Sequence, residues 1–225
     1  MKLATQALAD FDRALALSTA GDMVYLYRGM AHGAIALQMS RRQQDARDEC
    51  RAAIAELTAA MERNPDRADT WMWRGIVHAA LAYDAALRGD DPQPEFDLTM
   101  RDFDKAIALD DTRSDALMWR GQSHHAWGSY LVFRRKDPMP SYLNAITDYD
   151  RSVTLNPTNA LAWRNRGTTY DAIGTWKEVG KEDAVETYQK ALDDLTQAVK
   201  LDPNSAAQVK PMMEKAKRYL KAHAK

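Results

Sequence analysis

The chain has 225 residues, 45% hydrophobic and 28% charged, with 31 Lys and Arg against 32 Asp and Glu for a formal net charge of −1. That composition describes a folded soluble protein with enough chain for a sizeable core, and its near-neutral balance supplies no global field toward nucleic acid or an acidic membrane. Its one cysteine, Cys50, excludes an internal disulfide and a multi-cysteine metal site.

In chain order, the opening stretch MKLATQALADFDRALAL is broken by Asp10, Asp12 and Arg13 and lacks the apolar core of a signal peptide. It reads as a lone helix from about Leu3 to Leu17. No later run reaches the 18 apolar residues of a membrane-spanning helix, so membrane insertion is not expected. The reducing cytoplasm is the default compartment. An exported mature domain stripped of its signal would read the same way.

From residue 21 onward the chain repeats itself. MWRG stands at Met72–Gly75 and again at Met118–Gly121, 46 residues apart. Shifting the chain by 46 residues aligns Gly29, Gly75, Gly121 and Gly167 without a gap. The arginines before them, Arg28, Arg74, Arg120 and Arg166, fall in step, and three residues after each glycine come His32, His78, His124 and Tyr170. Two further columns are Phe11, Leu57, Phe103, Tyr149, Leu195 and Ala14, Ala60, Ala106, Ser152, Ala198. The units close on RNPDR, LDDTR, LNPTN and LDPNS. Such register is the mark of a repeat protein.

Each unit reads as two helices. The first is dense in Ala, Leu, Met and Trp, for example Ala68 to about Arg88; the second runs from about Glu95 to Leu109. Between them GDDPQP and KDPMP are loops, because proline cannot continue a helix. A closing helix is expected from about Ser205 to His223, and no stretch alternates with period 2. The fold class is therefore all-α. The expected organisation is one repeat domain over 1–225: a leading half-repeat (1–20), four full repeats (21–66, 67–112, 113–158, 159–204) and a capping helix (205–225).

With those columns in place, ALAWRNRGTTYDAIG and ALDDLTQAVKLDPN resemble the tetratricopeptide repeat, and RDFDKAIALD and TDYDRSVTLNP resemble its second helix. The resemblance spans nearly the whole chain. Two departures stand out: the unit is 46 residues where the family has 34, and histidine replaces the family's aromatic in three units. The resemblance implies a right-handed α-solenoid of antiparallel helix pairs with a concave groove.

Helical spacing separates the two sides of a first helix. In the second unit Trp71, Gly75, His78 and Ala82 form one stripe, where glycine admits the partner helix; Leu117 and Trp163 fill the same stripe elsewhere. Met72, Trp73, Ile76, Ala79 and Ala80 form the other, which the resemblance assigns to the groove. Its equivalents are Met23, Leu26, Tyr27 and Met30; then Met118, Trp119, Gln122 and His125; then Leu161, Arg164, Asn165, Thr168 and Asp171. The candidate partner-binding residues are thus Tyr27, Met30, Met72, Trp73, Ile76, Met118, Trp119, Gln122, His125, Arg164 and Asn165. Met and aromatics at such positions signal a partner surface. The competing reading is that Trp73 and Trp119 are core.

The charged columns read as structure. Arg28, Arg74, Arg120 and Arg166 recur one-to-one with Glu56, Asp102, Asp148 and Asp194, as a ladder between first and second helices. Each arginine could meet the acid before it or after it. His32, His78 and His124 cannot converge on one metal ion, since equivalent positions sit about 8–10 Å apart and zinc ligands about 2 Å from the ion; each is expected to pack with one ring nitrogen hydrogen-bonded. Cys50 aligns with Phe96, Tyr142 and Tyr188, so it reads as a buried small hydrophobe. The closing helix carries Lys210, Lys215, Lys217, Arg218, Lys221 and Lys225 against Glu214, with Val209, Met212, Met213 and Ala216 as its packing stripe. A polar-faced cap is expected of a solenoid end.

No nucleophile–base pair, phosphate loop, metal cluster or dinucleotide fingerprint is present, so no catalytic residue, metal or cofactor is expected. The leading expectation is a non-catalytic scaffold whose groove takes an apolar or amphipathic segment of a partner protein, with nucleic acid excluded. The alternative is a small-molecule receptor or transport accessory protein enclosing an apolar ligand. A third expectation, compatible with the first, is a regulatory or structural domain of a larger protein.

Overall fold

The computed structural model describes residues 21–224, together with Gln6, residues 8–11 and Arg13. The described residues before 21 are helical; the rest of the expected leading helix, about Leu3 to Leu17, lies outside the described residues. No strand occurs among the described residues.

The chain divides into two compact units, 1–112 and 113–225. The first holds α1 (Asp22–Arg41), α2 (Arg47–Arg63), α3 (Ala68–Arg88) and α4 (Gln93–Leu109). The second holds α5 (Ser114–Phe133), α6 (Met139–Leu155), α7 (Ala160–Val179), α8 (Val185–Leu201), a 3-10 turn (Pro203–Ser205) and α9 (Ala206–Ala222). Within the first unit α1 packs on α2, α3 on α4, and both α1 and α2 on α3; within the second, α5 packs on α6, α7 on α8, and α8 on α9.

Each pair is closed by the same turn. The first helix ends with a left-handed residue at Gln43, Gly89, Arg135 or Lys181, with φ of 57, 81, 56 and 59°. The N–H that follows reaches back five residues, from Gln44 to Met39, Asp90 to Ala85, Lys136 to Leu131 and Glu182 to Lys177, which satisfies a carbonyl that the helix end would orphan. Next an aspartate starts the second helix: Asp45, Asp91, Asp137 and Asp183 each accept from the N–H two residues on. A short polar side chain at that place competes for the free N–H groups of a helix start.

The glycine column sets the depth of packing. A Cβ at Gly121 would lie 2.9 Å from the Tyr149 ring, and one at Gly167 2.9 Å from Leu195. Gly29 meets Leu57 and Gly75 meets Phe103 in the same way. Nearer the turn, a Cβ at Gly128 would come within 2.6 Å of Tyr142, and one at Gly174 within 2.9 Å of Tyr188. In the first repeat those places are Ala36 and the small Cys50, both buried in one cluster, and in the second they are Ala82 and Phe96. Where the second-helix residue is tyrosine, at Tyr142 and Tyr188, the first helix gives it a glycine.

Trp71 and Trp163 depart from their expected place. They are half-buried and donate their indole N–H to the carbonyls of Pro65 and Pro157 at 2.7 and 2.9 Å. An indole needs a polar partner when it packs, and the interhelix turn supplies one. Leu117, with no polar atom, is fully buried.

Candidate functional site

The charged columns form two ladders that position the helix faces. Arg74 meets Asp102 through two hydrogen bonds of 2.7 Å, Arg120 meets Asp148 at 2.9 and 2.5 Å, and Arg166 meets Asp194 at 2.7 Å twice. Arg28 reaches Glu56 at 3.2 Å. In every case the acid is the one that follows, in the same repeat. Burial pushes the Asp194 carboxyl above its ordinary value, against the opposing pull of Arg166.

The second ladder went unread in the sequence. His32 and His78 each place Nδ1 2.7 Å from a glutamate 17 residues on, Glu49 and Glu95. Those glutamates stand 46 residues apart, so the signal was present as a column. Both histidines therefore have one ring nitrogen hydrogen-bonded, as expected. Cys50 is buried and free, and burial pushes its thiol up to about 12, which closes it as a nucleophile.

In the first unit, Tyr27 is 42% exposed and its ring stacks on Phe11 at 6.0 Å. Met30 and Trp73 are half-buried, both packed against the cluster of Leu26, Ala36, Ala53, Leu57 and Val77. A Cβ at Gly33 would lie 3.7 Å from the Trp73 ring. Met72 and Ile76, expected in the groove, are buried. The physical reason is that a first helix packs on its own second helix and also on its neighbours, so its apolar stripe is wider than a groove lining.

In the second unit, Met118 is likewise buried, in a cluster with Ala145, Tyr149, Val153 and Ala162, and Trp119 packs half-buried against it. Gln122 is exposed; Arg164 and Asn165 are half-buried. Arg164 donates to Gln208 Oε1 at 2.9 Å. His125 is held from across the helix seam, with Nδ1 2.9 Å from Thr169 Oγ1, whose hydroxyl donates to the Asn165 carbonyl. Burial pushes the His125 imidazole down to about 4, so it is neutral at physiological pH. Of the candidate stripe, Tyr27 and Gln122 are exposed, and Met30 and Trp73 in the first unit and Trp119, His125, Arg164 and Asn165 in the second are half-buried.

These seam contacts follow a 44-residue interval, two short of the repeat: Gly33 with Val77, His125 with Thr169, and Asp171 with Lys215 at 2.9 Å. Within the first unit this contact is apolar, and within the second the one between α7 and α9 is ionic. There Val209 and Ala216 are buried, Met212 and Met213 half-buried, and Lys210, Lys217, Arg218 and Lys221 face outward. No helix among the described residues is long and apolar enough to cross a membrane.

No family model matches the chain, and no curated protein matches it. Among solved structures, MamA superposes with a TM-score of 0.58 at 14% identity, over 89% of this chain and 89% of that one. YrrB, described as a TPR protein with an unusual peptide-binding site, superposes with a TM-score of 0.55 at 18% identity, over 96% of this chain and 84% of that one. The fold is that of tetratricopeptide-repeat proteins, in a variant with 46-residue units.

Proposed function

We propose that this chain, a tetratricopeptide-type array of lengthened helices, is a non-catalytic scaffold that binds an apolar or amphipathic segment of a partner protein on its first-helix faces. The observation that carries this reading is the 42% exposure of Tyr27, a large aromatic left accessible on a stripe whose members Leu26, Met72, Ile76 and Met118 are buried. Met30 and Trp73, half-buried on the same stripe of the first unit, add adaptable apolar surface; the second unit, taken by itself, offers Trp119 with the polar Gln122 and Asn165 on its first-helix faces. Aromatic and Arg side chains are the usual anchors of such interfaces. That YrrB is a TPR protein with a peptide-binding site supports a peptide as the ligand.

The enclosed-ligand alternative gains no support from the cavities at the helix ends, one of about 500 Å³ lined in part by Asp45, Arg47, Asp84 and Arg88 and one of about 650 Å³ lined in part by Glu178, Lys181, Glu182 and Asp183. The test is a selection from a displayed random-peptide library on the immobilised full chain, followed by calorimetric titration of the recovered peptides. Enrichment of apolar or amphipathic sequences that bind one-to-one is expected. Recovery of no sequence above a scrambled control would overturn the scaffold reading.

A further inference from the structure

The α1–α3 seam is packed at Gly33, against Val77 and Trp73, and opens at the helix ends into the cavity of about 500 Å³. Its lining joins Ser40, Gln43 and Gln44, at the end of α1, to Tyr83 and Leu87 of α3. Two ion pairs complete it, Arg47 with Asp45 and Arg88 with Asp84. The lining is thus charged at four places and neutral as a whole.

The ion pairs hold one another in place without exhausting their hydrogen-bonding capacity. Arg47 gives Nε and one terminal nitrogen to Asp45, and Arg88 gives one terminal nitrogen to Asp84 and Nε to Asp90. A guanidinium has five N–H donors and a carboxylate about four lone-pair sites, so each group keeps some for a ligand. Beside them stand polar groups with no bond of their own. Among the described residues, the side chains of Ser40, Gln43 and Gln44 and the Tyr83 hydroxyl have no hydrogen-bond partner. Tyr83 is 55% exposed, and its ring has neither a ring nor a cation beside it.

We propose that this cavity binds a neutral carbohydrate. A sugar hydroxyl donates and accepts at once. It can therefore accept an N–H from one of these arginines and donate to the paired aspartate, leaving the ion pair intact, and such charge-assisted bonds are the strong ones. A peptide N–H or carbonyl fills only one of those two roles. The open Tyr83 ring offers a flat apolar face to the C–H side of a pyranose, with Leu87 beside it. An ion gains nothing from a lining that is neutral as a whole, and an apolar ligand would leave the arginines and aspartates desolvated. Side chains that already fix one another lose little freedom on binding, and the volume falls in the ordinary range for small-molecule sites.

The cavity at the α7 and α9 ends shows what the first has that it lacks. Its Tyr219 ring is taken on both sides, by Tyr188 at 4.7 Å and His223 at 4.1 Å. Glu178, Glu182 and Asp183 line it against Lys181 alone, with no arginine. The carbohydrate site uses neither Tyr27 nor Trp119, and stands independently of the peptide-binding reading.

The test is a printed array of neutral, sulfated and sialylated glycans probed with the full chain, followed by calorimetric titration of the hits at about 50 mM and about 500 mM NaCl. A neutral glycan should bind, with the same Kd at both salt concentrations, because no net charge is there to be screened. Tyr83→Ala should weaken binding about tenfold through loss of the aromatic face, and Tyr27→Ala should leave it unchanged. Gln44→Ala, at an exposed position, should also weaken it, and decides the matter if Tyr83→Ala melts below wild type. Retention of no neutral glycan, binding confined to sulfated or sialylated glycans and lost at high salt, or an affinity unmoved by Tyr83→Ala and Gln44→Ala would each overturn the proposal.

Discussion

Arg74 and Asp102, 28 residues apart, face each other through two parallel hydrogen bonds of 2.7 Å, and the aspartate is almost wholly buried. The guanidinium fork spans from a first helix to the second helix of its own repeat, and the same geometry recurs at Arg120–Asp148 and Arg166–Asp194. Removing one arginine leaves a buried carboxylate without its counter-ion, which costs on the order of 3 kcal/mol. Arg120→Ala should therefore shift the urea midpoint strongly. Arg120→Lys should recover only part, because an ammonium cannot reproduce the fork. Arg51→Ala, at an exposed pair with Asp48, should leave the curve where it is.

The left-handed turn residues predict an inverted mutational pattern. Gly89 suits its φ of 81°, whereas Arg135 and Lys181 hold φ of 56 and 59° with a Cβ present. Gly89→Ala should destabilise by about 1 kcal/mol, while Lys181→Gly should be neutral or stabilising by up to about the same amount. Chemical denaturation of the two variants beside wild type measures both signs.

Packing between Gly128 and Tyr142 is tight enough to be read as a coupling. A methyl at 128 would meet the Tyr142 ring at 2.6 Å, so Gly128→Ala should cost about 1–3 kcal/mol through overpacking. In a Tyr142→Cys background, the pairing that the first repeat uses as Ala36 and Cys50, the same substitution should cost far less. A double-mutant cycle gives the coupling energy.

His125 predicts a pH dependence. Its folded value is about 4, against about 6.5 in an unfolded chain. Below pH 6.5 the unfolded chain takes up a proton that the folded chain resists, so this contribution is fully present above 6.5 and is lost as pH falls toward 4. At pH 5 the loss is about 2 kcal/mol. His125→Gln should lose less stability than wild type between pH 7.5 and 5, measured by denaturation at each pH.

What the sequence made legible was whatever recurs as a side chain at a fixed interval. The glycines, the arginines and their acids, and the small Cys50 all sit where their columns place them. The choice of acid was not legible, because both neighbouring repeats offer one and only the folded helix hairpin decides. Met72, Ile76 and Met118 share spacing with Trp73 and Trp119, yet they are buried, since neighbouring helices close over part of the stripe. The left-handed positions escaped because backbone conformation is common to Gln43, Gly89, Arg135 and Lys181 while their side chains share nothing.

The measurement that bears most directly on the scaffold reading is the affinity of a selected peptide for wild type, Tyr27→Ala and Trp119→Ala. Anchors in a desolvated interface contribute about 2 kcal/mol or more, so each substitution should weaken binding about thirtyfold, with Tyr27→Ala leaving the melting temperature almost unchanged. Equal affinity for all three proteins would contradict it, and a large loss of melting temperature in Trp119→Ala with binding intact would return that tryptophan to the core.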